Sequence, residues 1–175
     1  MPKTYGTVAT FTAGSVLTAA QLNVAGTAIN NLVVPPMVSV YRSSTLSAYT
    51  SGTAITWQAS HYDTDGMWTS GSSIAINTTG LYSVSFIGHF TCTATATLVV
   101  PELKRSAVNI LSQFQPIYNG TESRISLSGV VDCAAGDSLS LDVTIVGGSS
   151  YSIEGGATYG EAQARLALQW IGRKS

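Results

Sequence analysis

The feature that most restricts the fold is a two-residue alternation of apolar and polar side chains, recurring through the second half of the chain. In SLSLDVTIV, Leu139, Leu141, Val143 and Ile145 alternate with Ser138, Ser140, Asp142 and Thr144. A strand sends successive side chains to opposite faces, so this period marks a strand with one buried face. LYSVSFIGHFTC places Tyr82, Val84, Phe86, Gly88, Phe90 and Cys92 on one face. RISLSGVVDC does the same with Ile125, Leu127, Gly129, Val131 and Cys133, and QARLALQWI with Ala164, Leu166, Leu168 and Trp170. Further strands are predicted at 38–42, 54–58, 73–76, 94–100 and 108–118, with a short extended segment at 5–11. The turn signals DTDG, NTTG, YNGT, AAGD and GGSS separate them. About nine or ten strands in roughly 135 residues predict an all-β, antiparallel sandwich or jelly roll. No internal repeat is present, which disfavours propellers and β-helices.

One segment breaks the pattern. Thr18 is followed three residues later by Gln21, a capping box in which each side chain satisfies a backbone N–H of the other residue. Leu22, Ala25, Ile29 and Leu32 then follow at spacings of three, four and three, a narrow stripe suited to packing on another helix. Asn23, Gly26, Asn30 and Asn31 weaken the helix, and Pro35-Pro36 ends it. Two readings stand: a helix folded back on its own domain, or a self-associating and docking segment. The change of period divides the chain into an attachment segment, 1–36, and a head, 37–175.

Composition limits the function. Charged residues make up 10% of the 175 residues, against about 25% in an average protein, and 23 Ser and 21 Thr replace them. Net charge is −1 and the basic residues form no run longer than the pair in Leu103-Lys104-Arg105, so no nucleic-acid partner is expected. No stretch approaches the ~20 apolar residues of a membrane span. The start, MPKTYGTVATF, lacks the pattern of a secretory signal, which predicts a chain folded in a cytosol. Cys92 and Cys133 then read as small buried hydrophobes rather than a disulfide. Asn77 and Asn119 head glycosylation-like triplets and read as turn residues.

His61 and His89 are the two histidines, and no nucleophile-elbow GxSxG occurs. Asp63-x-Asp65-Gly66 resembles the start of a calcium loop but lacks the later ligands, and reads as a turn. Glu154 and Glu161 lie in a glycine-rich loop with no paired geometry for glycoside cleavage. No catalytic residue, metal or cofactor is therefore expected. The same loop carries Tyr151 and Tyr159, suited to carbohydrate or protein contact, with a merely solvated loop as the alternative.

The stretch WQASHYDTDGMWTSGSSIAINTTGLYSVSFIGHF, with Gly80, Tyr82, Val84 and Phe86 at its centre, resembles the globular head of the complement component 1q and tumour-necrosis-factor group. LSGVVDCAAGDSLSLDV and ARLALQWIG are similar to later elements of that family, so the resemblance spans 38–172. VVPELKRSAVNILSQF departs from it: Lys104, Arg105 and Asn109 are present, without the family's Asn-Gly hairpin. The resemblance implies a ten-stranded jelly roll that assembles as a homotrimer. It puts Tyr82, Phe86, Leu141, Leu166 and Trp170 in the core or near the three-fold axis. Separately, FTAGSVLTAAQLN is similar to the start of many tail and fibre proteins of bacteriophages with actinobacterial hosts. Together the two resemblances imply a virion structural protein assembled in the bacterial cytoplasm. Its implied partners are itself, other virion proteins and a host cell-surface glycan or protein. A capsid decoration protein is the nearest alternative. A secreted complement-like recognition module is another, and predicts a signal peptide and a collagen-like stalk.

Overall fold

The computed structural model describes residue 16 and residues 18–92, 96–116, 122–147, 150–156 and 163–173. The segment at 5–11, Tyr159, Glu161 and Asn119 lie outside them. One helix, α1 (Ala19–Val33), precedes twelve strands among the described residues. The capping box forms as expected: the Thr18 N–H donates to Gln21 Oε1 at 2.9 Å and the Gln21 N–H to Thr18 Oγ1 at 3.3 Å. The helix stops before Pro35-Pro36, and the first strand starts at Met37.

The strands are β1 (Met37–Tyr41), β2 (Leu46–Tyr49), β3 (Ala59–Asp63), β4 (Ser73–Ala75), β5 (Gly80–Thr91), β6 (Ala96–Arg105), β7 (Val108–Ser112), β8 (Gln115–Pro116), β9 (Glu122–Cys133), β10 (Ser138–Gly147), β11 (Tyr151–Ile153) and β12 (Arg165–Gly172). One sheet runs β2-β11-β5-β12-β1-β3, with β9 on the opposite edge of β5. The second runs β4-β10-β6-β7, with β8 also on β6. All the pairings are antiparallel. The two sheets face each other across one core, the antiparallel jelly roll that the alternation predicts. Tyr82, Phe86, Phe90 and Leu166 enter it from the first sheet, and Leu103, Leu139 and Leu141 from the second. Each fully buried side chain of this size contributes about 1.5–3 kcal/mol.

The glycine of the Gly-x-Tyr element has a steric reason. The Trp170 indole lies over Gly80 so closely that a Cβ there would be 2.1 Å from Trp170 Nε1 and 2.5 Å from Gly172 O. The indole is fixed by donating to Thr79 O at 3.2 Å. Gly80 therefore lets the last strand close over the start of β5.

Several strand expectations need correction. The 54–58 segment makes only two isolated bridges, Ala54 to Asp142 and Trp57 to Gly71. A strand lies just after it, at β3, where the sequence carries no strand signal, and it runs into the expected DTDG turn at Asp63. β2 and β11 are short strands that the alternation does not reveal, since Ala48 takes φ +55° and breaks the period. β6 runs through Pro101 to Arg105 and turns back at Ser106-Ala107. Both turn residues have positive φ, +48° and +69°, the signature of a two-residue hairpin turn of the mirror-image type. The hairpin thus forms without Asn-Gly.

The cysteines are free and buried. Cys133 pairs with Gly80 at one end of β5, and Cys92 follows its other end. A strand rise of about 3.3 Å per residue sets them roughly 35–40 Å apart, far beyond disulfide reach. Burial pushes the Cys133 thiol up to about 11.

Candidate functional site

Two surfaces stand out, one an exposed apolar stripe and the other a sheet face that mixes apolar, hydroxyl and guanidinium groups. The first is α1. Leu22 is 54% exposed, Ile29 59% and Val33 72%. The stripe is therefore not buried against the head. Ala25 is partly buried, and Leu32 belongs to the helix with its side chain outside the description.

The second surface appears when the outer faces of the two sheets are compared. An antiparallel sheet ordinarily buries one face and solvates the other with polar groups. The β10–β6 sheet follows that rule. Lys104 Nζ lies 2.8 Å from Asp142 Oδ2 and 3.7 Å from Glu102 Oε2. Thr144 donates to Glu102 Oε2 at 2.8 Å, and Asn109 to Glu102 Oε1 at 3.1 Å. The hydrogen bond to Asp142 raises the Lys104 ammonium above its ordinary value.

The outer face of the β5–β12 sheet is different. Strand register aligns Ser39, Ala167, Ser85 and Ser128 in one cross-strand row. On one side lies the row Tyr41, Arg165, Ile87 and Ser126, and on the other Met37, Gln169, Ser83 and Val130. Small side chains between larger ones leave a trough across the strands. His61 stacks on Tyr41, with ring centroids 4.3 Å apart and planes at 22°. Ser39, Ser85 and Ala167, with His61, Tyr62, Ile87 and Arg165, enclose a depression of about 220 Å³. Tyr62, Ile87, Val130 and Ile171 remain exposed.

The sequence-predicted residues divide cleanly. Tyr82, Phe86, Leu141, Leu166 and Trp170 are buried between the sheets. Tyr82 is further held by donating to Thr78 O at 2.6 Å. Tyr151, expected on a loop, lies in β11, packs on Phe90 at 5.8 Å between centroids and donates to Gly147 O at 2.6 Å. Its position follows from that pairing, since β11 bridges β2 and β5.

The aspartates of the DTDG segment are occupied by their own turn. Asp63 accepts the Met67 and Trp68 N–H groups at 2.9 Å each, and Asp65 accepts the Thr78 hydroxyl at 2.9 Å. Asn77 donates to Asp65 O at 2.7 Å, closing the same turn. Among the described residues, no three His, Cys, Asp or Glu side chains gather as a metal cluster. The trough was not visible in the sequence, because Ser39, Ser85, Ser128 and Ala167 become neighbours only through strand register.

No protein-family profile matches the chain, and no curated protein sequence does. Among solved structures, the globular domain of zebrafish complement 1qA protein is similar, with a TM-score of 0.59 at 16% identity. The match covers 79% of this chain and 99% of that domain. At that identity the likeness concerns the fold alone: the head is an antiparallel jelly roll of the complement 1q type.

Proposed function

We propose that the chain is a non-enzymatic structural protein of a bacteriophage particle. In this reading it is a homotrimer, attached through residues 1–36 and presenting residues 37–175 as a jelly-roll head. The observation that carries the reading is the exposed apolar stripe of α1. A lone helix of 15 residues is marginal in water, so its stripe calls for a partner. Leu22 and Ile29 are seven residues apart, the repeat by which parallel helices pack.

Magnitudes decide how much the helix can do. Covering Leu22 and Ile29 in three copies contributes about 1 kcal/mol per half-exposed side chain, roughly 6 kcal/mol together. Association costs about 4–15 kcal/mol per step, so the helices alone do not hold three chains. The heads must add contact. The outer face of the β5–β12 sheet, with Ile87, Val130 and Ile171 exposed among serines and alanine, is the surface suited to it. The complement 1q type of fold supports the same assembly, as heads of this type commonly form trimers.

The phage assignment rests on the likeness of FTAGSVLTAAQLN to phage tail and fibre starts. That likeness favours a tail or tail-fibre position, with adsorption to a host-surface glycan or protein as the use. Antibody against the head, imaged on particles by electron microscopy, tests it. Label on the tail is expected. Label on the capsid makes the chain a decoration protein, and unlabelled particles refute a virion role.

A further inference from the structure

We infer that the depression on the outer face of the β5–β12 sheet is an oxyanion site centred on Arg165, enclosed when copies of the chain meet over that face. The inference rests on the self-association reading and starts from the charges. Every carboxylate among the described side chains is engaged within its own chain. Asp63 holds backbone N–H groups, Asp65 holds Thr78, and Glu102 and Asp142 hold Lys104. Asp137 holds Arg105, Glu154 holds Thr45 and Thr91, and Asp132 also has a partner.

The cations divide differently. Lys104 and Arg105 are paired with carboxylates. The buried Arg42 guanidinium donates to Ser44 O at 3.1 Å and to Thr56 O. Arg124 and Arg165 are exposed, and neither side chain has an acceptor among the described residues. Both project from the outer face of the β5–β12 sheet: Arg165 lies opposite Ile87, and Arg124 is two residues before Ser126, the other neighbour of Ile87. The sheet face best suited to self-association thus carries guanidinium groups without an acceptor among the described residues, and no carboxylate among the described side chains is spare to meet them; the side chain of Glu122, on the strand of Arg124, lies outside those side chains.

A guanidinium withdrawn from water without an anion is strongly disfavoured, and a planar guanidinium matches an oxyanion through two parallel N–H donors. The depression adds donors. Ser39 is only 2% exposed yet lines it, and the Ser39, Ser85 and Tyr62 hydroxyls make no hydrogen bond among the described residues. Their common ligand is an oxyanion group, supplied either as a free inorganic ion or as the carboxylate of an acidic sugar. A volume of about 220 Å³ admits both.

The test is sedimentation equilibrium of the full chain in chloride, phosphate, sulfate and glucuronate at matched pH and ionic strength. At least a tenfold lower dissociation constant for the oligomer in an oxyanion than in chloride is expected. Enhancement by all three oxyanions identifies a general oxyanion site, and enhancement by glucuronate alone identifies an acidic-sugar site. Arg165→Gln should abolish the difference between salts, and Arg165→Lys should keep part of it. Equal association of the wild-type chain in all four salts, with the oligomer present, overturns the inference and leaves the assembly intact. A monomer in every salt overturns the assembly and the inference together.

Discussion

Replacing Gly80 by alanine tests the packing that joins the first long strand to the last. The added Cβ would stand 2.1 Å from Trp170 Nε1 and 2.5 Å from Gly172 O, where ordinary contacts begin near 3.4 Å. The indole would have to retreat by more than 1 Å, and the second obstacle is backbone. Retreat also breaks the 3.2 Å hydrogen bond from Trp170 to Thr79 O. Overpacking of this kind costs about 1–3 kcal/mol and the lost hydrogen bond about 1 kcal/mol, so Gly80→Ala should destabilise the head by about 3 kcal/mol. Urea unfolding followed by tryptophan fluorescence, at one fixed protomer concentration, measures it. Trp170→Leu should cost stability alone yet soften the effect of Gly80→Ala, a coupling that a double-mutant cycle reads directly. A loss under 1 kcal/mol, or strictly additive effects, would mean that the Trp170 indole does not exclude a side chain at Gly80.

Three further outcomes are expected. Ser106→Asn with Ala107→Gly should stabilise the head by about 1 kcal/mol in the same urea assay, because both positions hold positive φ, which asparagine and glycine tolerate better. Stability should fall as pH rises above about 9. Burial pushes the Cys133 thiol up to about 11 and the Tyr49 hydroxyl to about 12, while the unfolded chain releases these protons near 9.0 and 10.0. The native state then binds more protons than the unfolded one. The stabilisation is complete below the unfolded values and is lost as pH rises from them towards the folded values, and Tyr49→Phe should flatten the upper part of the decline in thermal melts taken from pH 8 to 11. Leu22→Asp with Ile29→Asp should weaken oligomerisation at least tenfold by sedimentation while leaving the far-ultraviolet β signal of the head unchanged.

Parts of this structure were legible because local chemistry decides them. The Thr18–Gln21 box and Pro35-Pro36 bound α1 without help from the rest of the chain. β5, β9, β10 and β12 are central or long strands with one face in the core, so burial writes a clean period into them. β3 is an edge strand with His61 and Tyr62 both outside the core, and its sequence carries no such period. β2 and β11 are held by pairing with distant partners, Tyr49 with Tyr151 and Ile153 with Phe90. The trough escapes for the same reason. Its floor comes from β1, β12, β5 and β9, and only register brings Ser39, Ala167, Ser85 and Ser128 into line. Tyr82 and Phe86 were legible as inward-facing residues, while their place between the sheets required the second sheet to be known.

In the proposed assembly the chain works as a trimer to which its N-terminal helix contributes. Sedimentation equilibrium of the full chain and of residues 37–175, both at micromolar concentration, tests it most directly. Three times the 18.2 kDa protomer mass is expected for the full chain, and a folded but more weakly associated head when α1 is removed. A full chain that sediments as a stable monomer with its helix intact would contradict it.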